Sequence, residues 1–259
     1  MRVARFAGDD DPRFGLIGDD GGVSTVAVLK GDPMYAGIEF TGEKIPLDDV
    51  RLLAPVIPRS KVVCIGKNYA AHAAEMGGEA PAEPLLFLKP NTAVIGPGEP
   101  IFHPEQSENV NYEGELAVVI GRICRDISPT DVPKVVFGYT IANDVTARDL
   151  QAKDGQWTRA KGFDTFCPLG PWIETDLDVG EVSLRTELNG EVRQQGNTRD
   201  LIHTIPDLIA YISSVMTLLP GDVVLTGTPE GVGRMEVGDE VSVTIDGIGT
   251  LTNRVVDRG

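Results

Sequence analysis

"VNYEGELAVVIGR" (residues 110–122) is the stretch on which the reading of this chain turns. It ends as an apolar strand, in Leu116, Ala117, Val118, Val119 and Ile120, yet it begins with two carboxylates, Glu113 and Glu115. Successive side chains of an extended chain point to opposite sides, so both glutamates project from one face and Leu116, Val118 and Ile120 from the other. Two anions about 6–7 Å apart repel by about 2–3 kcal/mol at an effective dielectric near 20. A half-buried strand that carries them calls for a compensating positive charge.

Working outward, the next strand-like run, "FGYTIANDVTARD" (137–149), supplies Asp144, with Arg148 and Asp149 close behind. If the two runs are neighbours in one sheet, Glu113, Glu115 and Asp144 converge at strand ends. An oxygen-only set without Cys or His suits a hard divalent ion, Mg2+ first and Mn2+ or Ca2+ after it. The competing reading places the glutamates on a solvated face and lets Asp144 cap a turn; spacing alone leaves both open. "GKNYAAHAAEMG" (66–77) sets His72 and Glu75 three apart, on one side of a short helical turn, where the carboxylate can orient the imidazole as a general base. The same spacing also fits an exposed pair on a surface loop. "DGQWTRAKGFDTFCPLGP" (154–171) carries Arg159 and Lys161 on an aperiodic segment, where they either hold an oxyanion or are simply solvated. "LTGTPEGVG" (225–233) is a Gly-rich turn with Thr226 and Thr228; it lacks the GK[ST] ending of a P-loop and suits a small anion instead.

The 259 residues admit one large domain or a large one with a small companion, and 41% hydrophobic with 24% charged residues is the composition of an ordinary globular protein. A formal charge of −16 argues against nucleic acid as a partner and means that any anionic ligand must meet local positive charge. Cys64, Cys124 and Cys167 are too scattered for a disulfide framework or a zinc ribbon and read as free, buried thiols. No apolar run approaches the roughly 18 residues of a membrane span, and the opening residues lack an apolar signal core, so a cytoplasmic location and no membrane partner are expected.

Short strands separated by Gly/Asp turns fill the first sixty residues. Pro55 and Pro58 punctuate the chain ahead of "KVVCIG", which predicts a small N-terminal domain (1–58) and a catalytic domain (59–259). The second part is mostly β, with hairpins at "LNGEV" and "IDGIG". One helix is clear: in "IPDLIAYISSVMTLL" (205–219), Leu208, Ile209, Ile212, Val215, Met216 and Leu219 recur at helical spacing. The fold class predicted is mainly β with some α.

Taken in order, "GKNYAAHAAEM", "PLLFLKP", "NYEGELAVVIG", "GYTIANDVTARDLQ", "WTRAKGFDTFCPLGPWI" and "PGDVVLTGTPEGVG" closely resemble the fumarylacetoacetate hydrolase family, from about residue 60 to the end. The N-terminal part resembles the extra domain of bacterial two-domain members of the 2-hydroxyhepta-2,4-diene-1,7-dioate isomerase type. The resemblance implies the family's mixed β-sandwich roll, a homodimer, and one Mg2+ or Mn2+ per subunit. By the same resemblance Glu113, Glu115 and Asp144 match metal ligands, and His72 and Glu75 match a catalytic dyad on a lid. Lys161 matches the lysine beside the metal, Arg148 and Gln151 match polar positions around the site, and Thr228 matches a substrate-carboxylate contact. "VVCIGKNY" lacks the additional acidic ligand of the animal hydrolase, which makes fumarylacetoacetate itself a poor expectation. The implied substrate is a small 2-oxo or 2-hydroxydienoic acid handled as a chelated enolate in aromatic catabolism. Isomerase, acylpyruvate hydrolase and oxaloacetate decarboxylase chemistry share that intermediate and stay open, and a non-catalytic metal-binding protein is the alternative of a different class. The lid tip "GGEAPAEP" (77–84) and the N-terminal unit are expected to shape the far end of the pocket.

Overall fold

The computed structural model describes residues 1–9, 11–77 and 80–258. Gly78 and Glu79 of the lid tip therefore lie outside the described residues.

All seven residues of the strand Gly114–Ile120 are buried. Leu116, Val118 and Ile120 pack into one apolar cluster with Ile141, Val243, Ile245 and the helix residues Leu208, Ile209 and Ile212. Ala117 and Val119 pack on the opposite side with Ala142, Leu169, Val62, Cys64 and Phe87. The half-buried strand expected from the alternation at its entrance is thus a central strand covered on both faces. The reason is the unbroken apolar run that follows the glutamates, which leaves no polar face to solvate.

That strand lies in an eleven-stranded sheet. A meander of Phe40–Pro46, Val23–Leu29, Arg13–Asp20 and Arg2–Phe6 leads into Cys167–Glu174, Val136–Asn143, Gly114–Ile120, Val223–Leu225, Val62–Gly66 and the edge strand Leu85–Lys89; Val94–Ile95 adds to Cys167–Glu174. Backbone pairing of Arg2 with Glu174 and Val3 with Ile173 joins the N-terminal meander to the rest. Most neighbours are antiparallel, but Val62–Gly66 runs parallel to Val223–Leu225, which brings the segments that follow both strands to the same end of the sheet.

A five-stranded sheet, in the order Glu191–Asn197, Ser183–Leu188, Glu240–Ile245, Gly249–Asp257 and Ile101–His103, covers the Leu116 face. Its first hairpin turns through Asn189 and Gly190, both at positive φ (53° and 79°), the conformation that the "LNGEV" signal calls for. The two sheets approach most closely at Gly114: a Cβ there would lie 2.2 Å from Thr186 Oγ1 and 3.0 Å from Val243 Cγ1. Only glycine fits between the two glutamates.

The helix Ile205–Val215 is capped by Thr204, which accepts from the Asp207 N–H, and buries Leu208, Ile209 and Ile212. Each such burial stabilises the fold by roughly 1.5–3 kcal/mol. The apolar stripe is shorter than its spacing suggests: Val215 is 57% exposed, Met216 is already extended (φ −149°, ψ 146°), and Leu219 lies past the helix end. Once the backbone leaves the helix the 3.6-residue period no longer applies, and Leu218 takes the buried position. The three cysteines are free and buried. No described helix is long and apolar enough to cross a membrane.

Candidate active site

Strand register builds the floor of the site. Gly114 lies opposite Asn143 and Glu115 opposite Ala142. One step outward the Asp144 N–H donates to the Glu113 carbonyl (2.8 Å), and the Glu113 N–H donates to Asn143 Oδ1 (2.9 Å). This pairing gathers Glu113, Glu115 and Asp144, with one oxygen of each within 4.8 Å of the others. They are 4%, 1% and 1% exposed, so the solvated-face reading of the glutamates fails.

Three cations surround them. Lys161, itself buried, donates to Glu113 Oε2 (2.8 Å) and Asp144 Oδ2 (2.7 Å). Arg148 donates to Glu113 Oε1 and, through Nη1, to Gln151 Oε1 (2.8 Å). Lys89, a residue without an expected role, is buried and donates to the carbonyls of Val145, Lys161 and Phe166 (3.0, 2.5 and 2.7 Å). Its Nζ also lies 2.7 Å from Asp144 Oδ1. An ammonium has three N–H groups, all committed to carbonyls here, so that contact is ionic and Asp144 Oδ1 accepts no hydrogen bond. Lys89 was legible in principle: it closes the apolar strand "LLFLK" two residues after Phe87, on the inward-facing side.

Glu115 Oε2 accepts from the Gly227 N–H (2.7 Å). Gly227 has φ +105°, and a Cβ there would meet Asn68 Cβ at 2.7 Å, which is why the Gly-rich turn can present this amide. Burial, with the charges of Asp144 and Glu113 behind it, holds the Glu115 carboxyl well above the usual carboxylate range. Burial pushes Glu113 the same way, but Lys161 and Arg148 more than reverse it and hold Glu113 well below that range. Burial alone would lower Lys161; Asp144 and Glu113 raise it instead. An oxygen-only trio in which one oxygen lacks a donor and one carboxylate resists ionisation fits a hard divalent cation, which would answer both.

Above the floor is a cavity of about 280 Å3, bordered by His72, Met76, Phe87, Arg148, Gln151, Trp157, Lys161 and Thr228 among others. His72 sits on the helix Ala70–Glu75 with Nδ1 3.1 Å from Glu75 Oε2, and Glu75 Oε1 accepts from the Gly231 N–H (3.1 Å). At 5% exposure His72 is no part of an exposed surface pair. Nδ1 faces a carboxylate and is the protonated nitrogen, which leaves Nε2 as the acceptor. The helix has no side-chain cap; Asn68 ties down its approach by donating to the carbonyls of His203 (3.1 Å) and Thr226 (2.8 Å). Phe87 and Trp157 meet edge-on with centroids 5.3 Å apart and wall one side.

Thr228 borders the cavity, but its hydroxyl donates to the Gly114 carbonyl (2.9 Å) and accepts from Gln194 Nε2 (2.8 Å). With its one proton committed, this side chain braces the floor. Gln194, fully buried, also accepts from the Gly114 N–H (3.0 Å); nothing in its local sequence pattern marks it. Thr226 likewise donates to the Leu116 carbonyl. Two neighbours named in the sequence stay outside. Arg159 forms an exposed pair with Asp154, and Asp149 accepts from Ser107 Oγ and the Glu108 N–H.

Comparison with known proteins follows this geometry. The family described as fumarylacetoacetate (FAA) hydrolase, C-terminal, matches residues 61–256, and the one described as Rv2993c-like, N-terminal, matches residues 1–55. A 5-carboxymethyl-2-hydroxymuconate delta-isomerase from Mycobacterium smegmatis is 55% identical with a TM-score of 0.92 over 100% of both chains. The oxaloacetate tautomerase YcgM of Escherichia coli is 49% identical over 77% of this chain and 94% of its own. The maleylpyruvate hydrolase of Sphingobium sp. SYK-6, solved in complex with manganese(II) and pyruvate, is 34% identical with a TM-score of 0.82 over 99% of both chains.

Proposed function

The chain is an enzyme of the fumarylacetoacetate hydrolase family, and from that premise we propose that it shifts a proton on a 2-oxo or 2-hydroxydienoic diacid, most nearly as a 2-hydroxyhepta-2,4-diene-1,7-dioate isomerase does. We place it in aromatic catabolism, as a homodimer, with residues 1–58 as a small domain beside a catalytic domain of 59–259.

One observation carries the reading. With Glu115 ionised, the three carboxylates equal in number the cations Lys89, Arg148 and Lys161, while Asp144 Oδ1 has no N–H to accept. Those three carboxylates would hold a dication, Mg2+ first and Mn2+ next, which would supply Lewis acidity toward a 2-oxo acid. The added charge would be balanced by a dianionic form of such an acid. His72 Nε2 takes the proton from the enol hydroxyl and returns it to a carbon of the chain, so that the enol becomes the ketone, with Glu75 fixing the tautomer. Arg148, steadied by Gln151, turns its remaining N–H groups to a substrate carboxylate. Phe87 and Trp157 give the unsaturated middle an apolar bed. Isomerase and tautomerase names among the relatives favour proton transfer over bond cleavage.

The test is a Mg2+-supplemented screen of 2-hydroxydienoic diacids, enolic oxaloacetate and acylpyruvates. Enol absorbance, pyruvate and carbon dioxide are followed together. Loss of the enol band with neither product released is the expected result. Pyruvate release identifies a hydrolase and carbon dioxide a decarboxylase. Metal-dependent turnover by Glu115→Gln equal to the parent would dismiss the cage.

A further inference from the structure

A second cavity, of about 260 Å3, lies where the N-terminal meander meets the large sheet, away from the carboxylate cage. Phe14 and Tyr35 come to it from the first 55 residues, Arg59 from the connecting segment, and Phe137 and Ile173 from the large sheet. Phe137 is the second residue of the strand Val136–Asn143, whose far end leads into Asp144, so seven residues of extended chain, roughly 23 Å, separate this cavity from the floor of the active site.

Its charge is unusual for so acidic a chain. Among the described residues, Arg5, Arg59 and Arg122 have no carboxylate within 4.0 Å, whereas every other arginine has one. Arg5 and Arg59 both line this cavity, and Arg122 lies in an adjoining depression that shares Met34 and Phe137 as its wall. Arg5 makes one long bond, from Nη1 to the Ala54 carbonyl (3.3 Å), and Arg59 stacks over Tyr35 with its guanidinium carbon 4.2 Å from the ring centre. A guanidinium offers five N–H groups in a fork matched to a carboxylate, so most of the donor capacity here is unused. Asp32 also lines the cavity, but its Oδ1 is held by the Met34 N–H. Glu99 also acts on Arg5, but it is shared with Arg51 (3.9 Å), so three arginines against Asp32 and Glu99 leave a single positive charge beside the aromatic walls.

We propose that this cavity is a second ligand site, distinct from the active site, for a small monocarboxylate with a flat apolar body. The acid head sits between Arg5 and Arg59, and the body lies against Phe14 and Phe137. The charge fits one carboxylate and the aromatic lining fits an unsaturated ring.

Benzoate is the probe, titrated into the full-length protein by calorimetry and ligand-observed NMR, with benzamide as the neutral counterpart and cyclohexanecarboxylate as the saturated one. Benzoate is expected to bind and benzamide to bind at least about tenfold more weakly, since a charge-assisted pair is lost. Arg59→Glu should abolish benzoate binding and Arg5→Gln weaken it about tenfold or more. Glu115→Gln and His72→Ala should leave it unchanged. Arg59 is exposed, so its exchange reports on the ligand without a folding defect. Benzoate affinity that survives Arg59→Glu, or that disappears in Glu115→Gln, overturns the proposal. A change of oligomeric mass in Arg59→Glu with benzoate affinity untouched assigns the cavity to a second copy of the chain, and also overturns it.

Discussion

The floor and the lid of the active site are built to opposite specifications. Every floor carboxylate comes from, or directly beside, a strand hydrogen-bonded to neighbours on both edges and buried on both faces, and every one contacts a cation or a backbone N–H far away in sequence. The helix that carries His72, and that the proposed function treats as a lid, has six residues and no side-chain cap and is fastened by Glu75 to one backbone amide and by Asn68 to two carbonyls. The buried charges sit where opening demands global unfolding; His72, to which the proposed function gives proton transfer, sits where opening is local. Binding geometry and proton transfer are therefore separable, and each can be damaged without the other.

The largest effect expected on that division is from Glu115→Gln. Turnover should fall below detection while the metal-free protein becomes more stable at neutral pH by at least about 1 kcal/mol, roughly 2–4 °C in Tm. The sign follows from the raised pKa of Glu115: its folded form prefers to hold a proton, so ionisation costs stability as pH rises from the ordinary carboxylate value toward the raised one. Melting of parent and variant without metal, from neutral pH down to about pH 4, should show the gap closing as pH falls. A variant less stable than its parent at neutral pH would mean that Glu115 is not under strain from its neighbours.

Lys161→Met comes next. It leaves Glu113 and Asp144 buried together without their shared donor, and a loss of about 3–5 kcal/mol in denaturant unfolding is expected. His72→Ala should slow turnover by about 10²–10⁴-fold, with Tm almost unchanged and Mg2+-dependent oxalate binding intact by calorimetry. If oxalate binding falls along with the rate, lid and floor are one unit and the contrast collapses. Glu75→Gln keeps the contact to Nδ1 but not its charge and should cost about tenfold in rate. Smallest is a difference that needs no mutation: the Ala73 amide, bonded to Tyr69 within the lid helix, should exchange with solvent well before the Ala117 amide of the central strand.

The sequence carried the floor better than its support. Two glutamates with one residue between them at the mouth of an apolar run, and an aspartate at the end of the next, are patterns of period two that survive in one dimension. What answers their charge does not. Lys89, Arg148 and Lys161 arrive from three separate segments, and the opening expectation of a positive charge was met by side chains as well as by a site suited to an ion. Thr228 shows the converse: its place beside the cavity was legible, but the commitment of its proton to Gly114 depends on how the turn folds back on the strand. Arg159 and Lys161 are two apart on a short helix, and only the fold decides that one meets solvent and the other the cage. The hairpin signals at "LNGEV" and "IDGIG" came through as turns between paired strands, while the burial of both faces had to wait for the second sheet.

Gly114 shows how far that second sheet reaches. A wall that supplies neither a carboxylate of the cluster nor a residue of the cavity lining dictates the middle letter of the Glu-Gly-Glu signature, because Thr186 and Val243 occupy the volume any larger residue would need. The two surfaces are thus bound to diverge together: bulkier drift at Thr186 is barred for as long as the glutamates keep their spacing, and a graft of this motif onto another scaffold succeeds only if the recess behind it is transplanted as well.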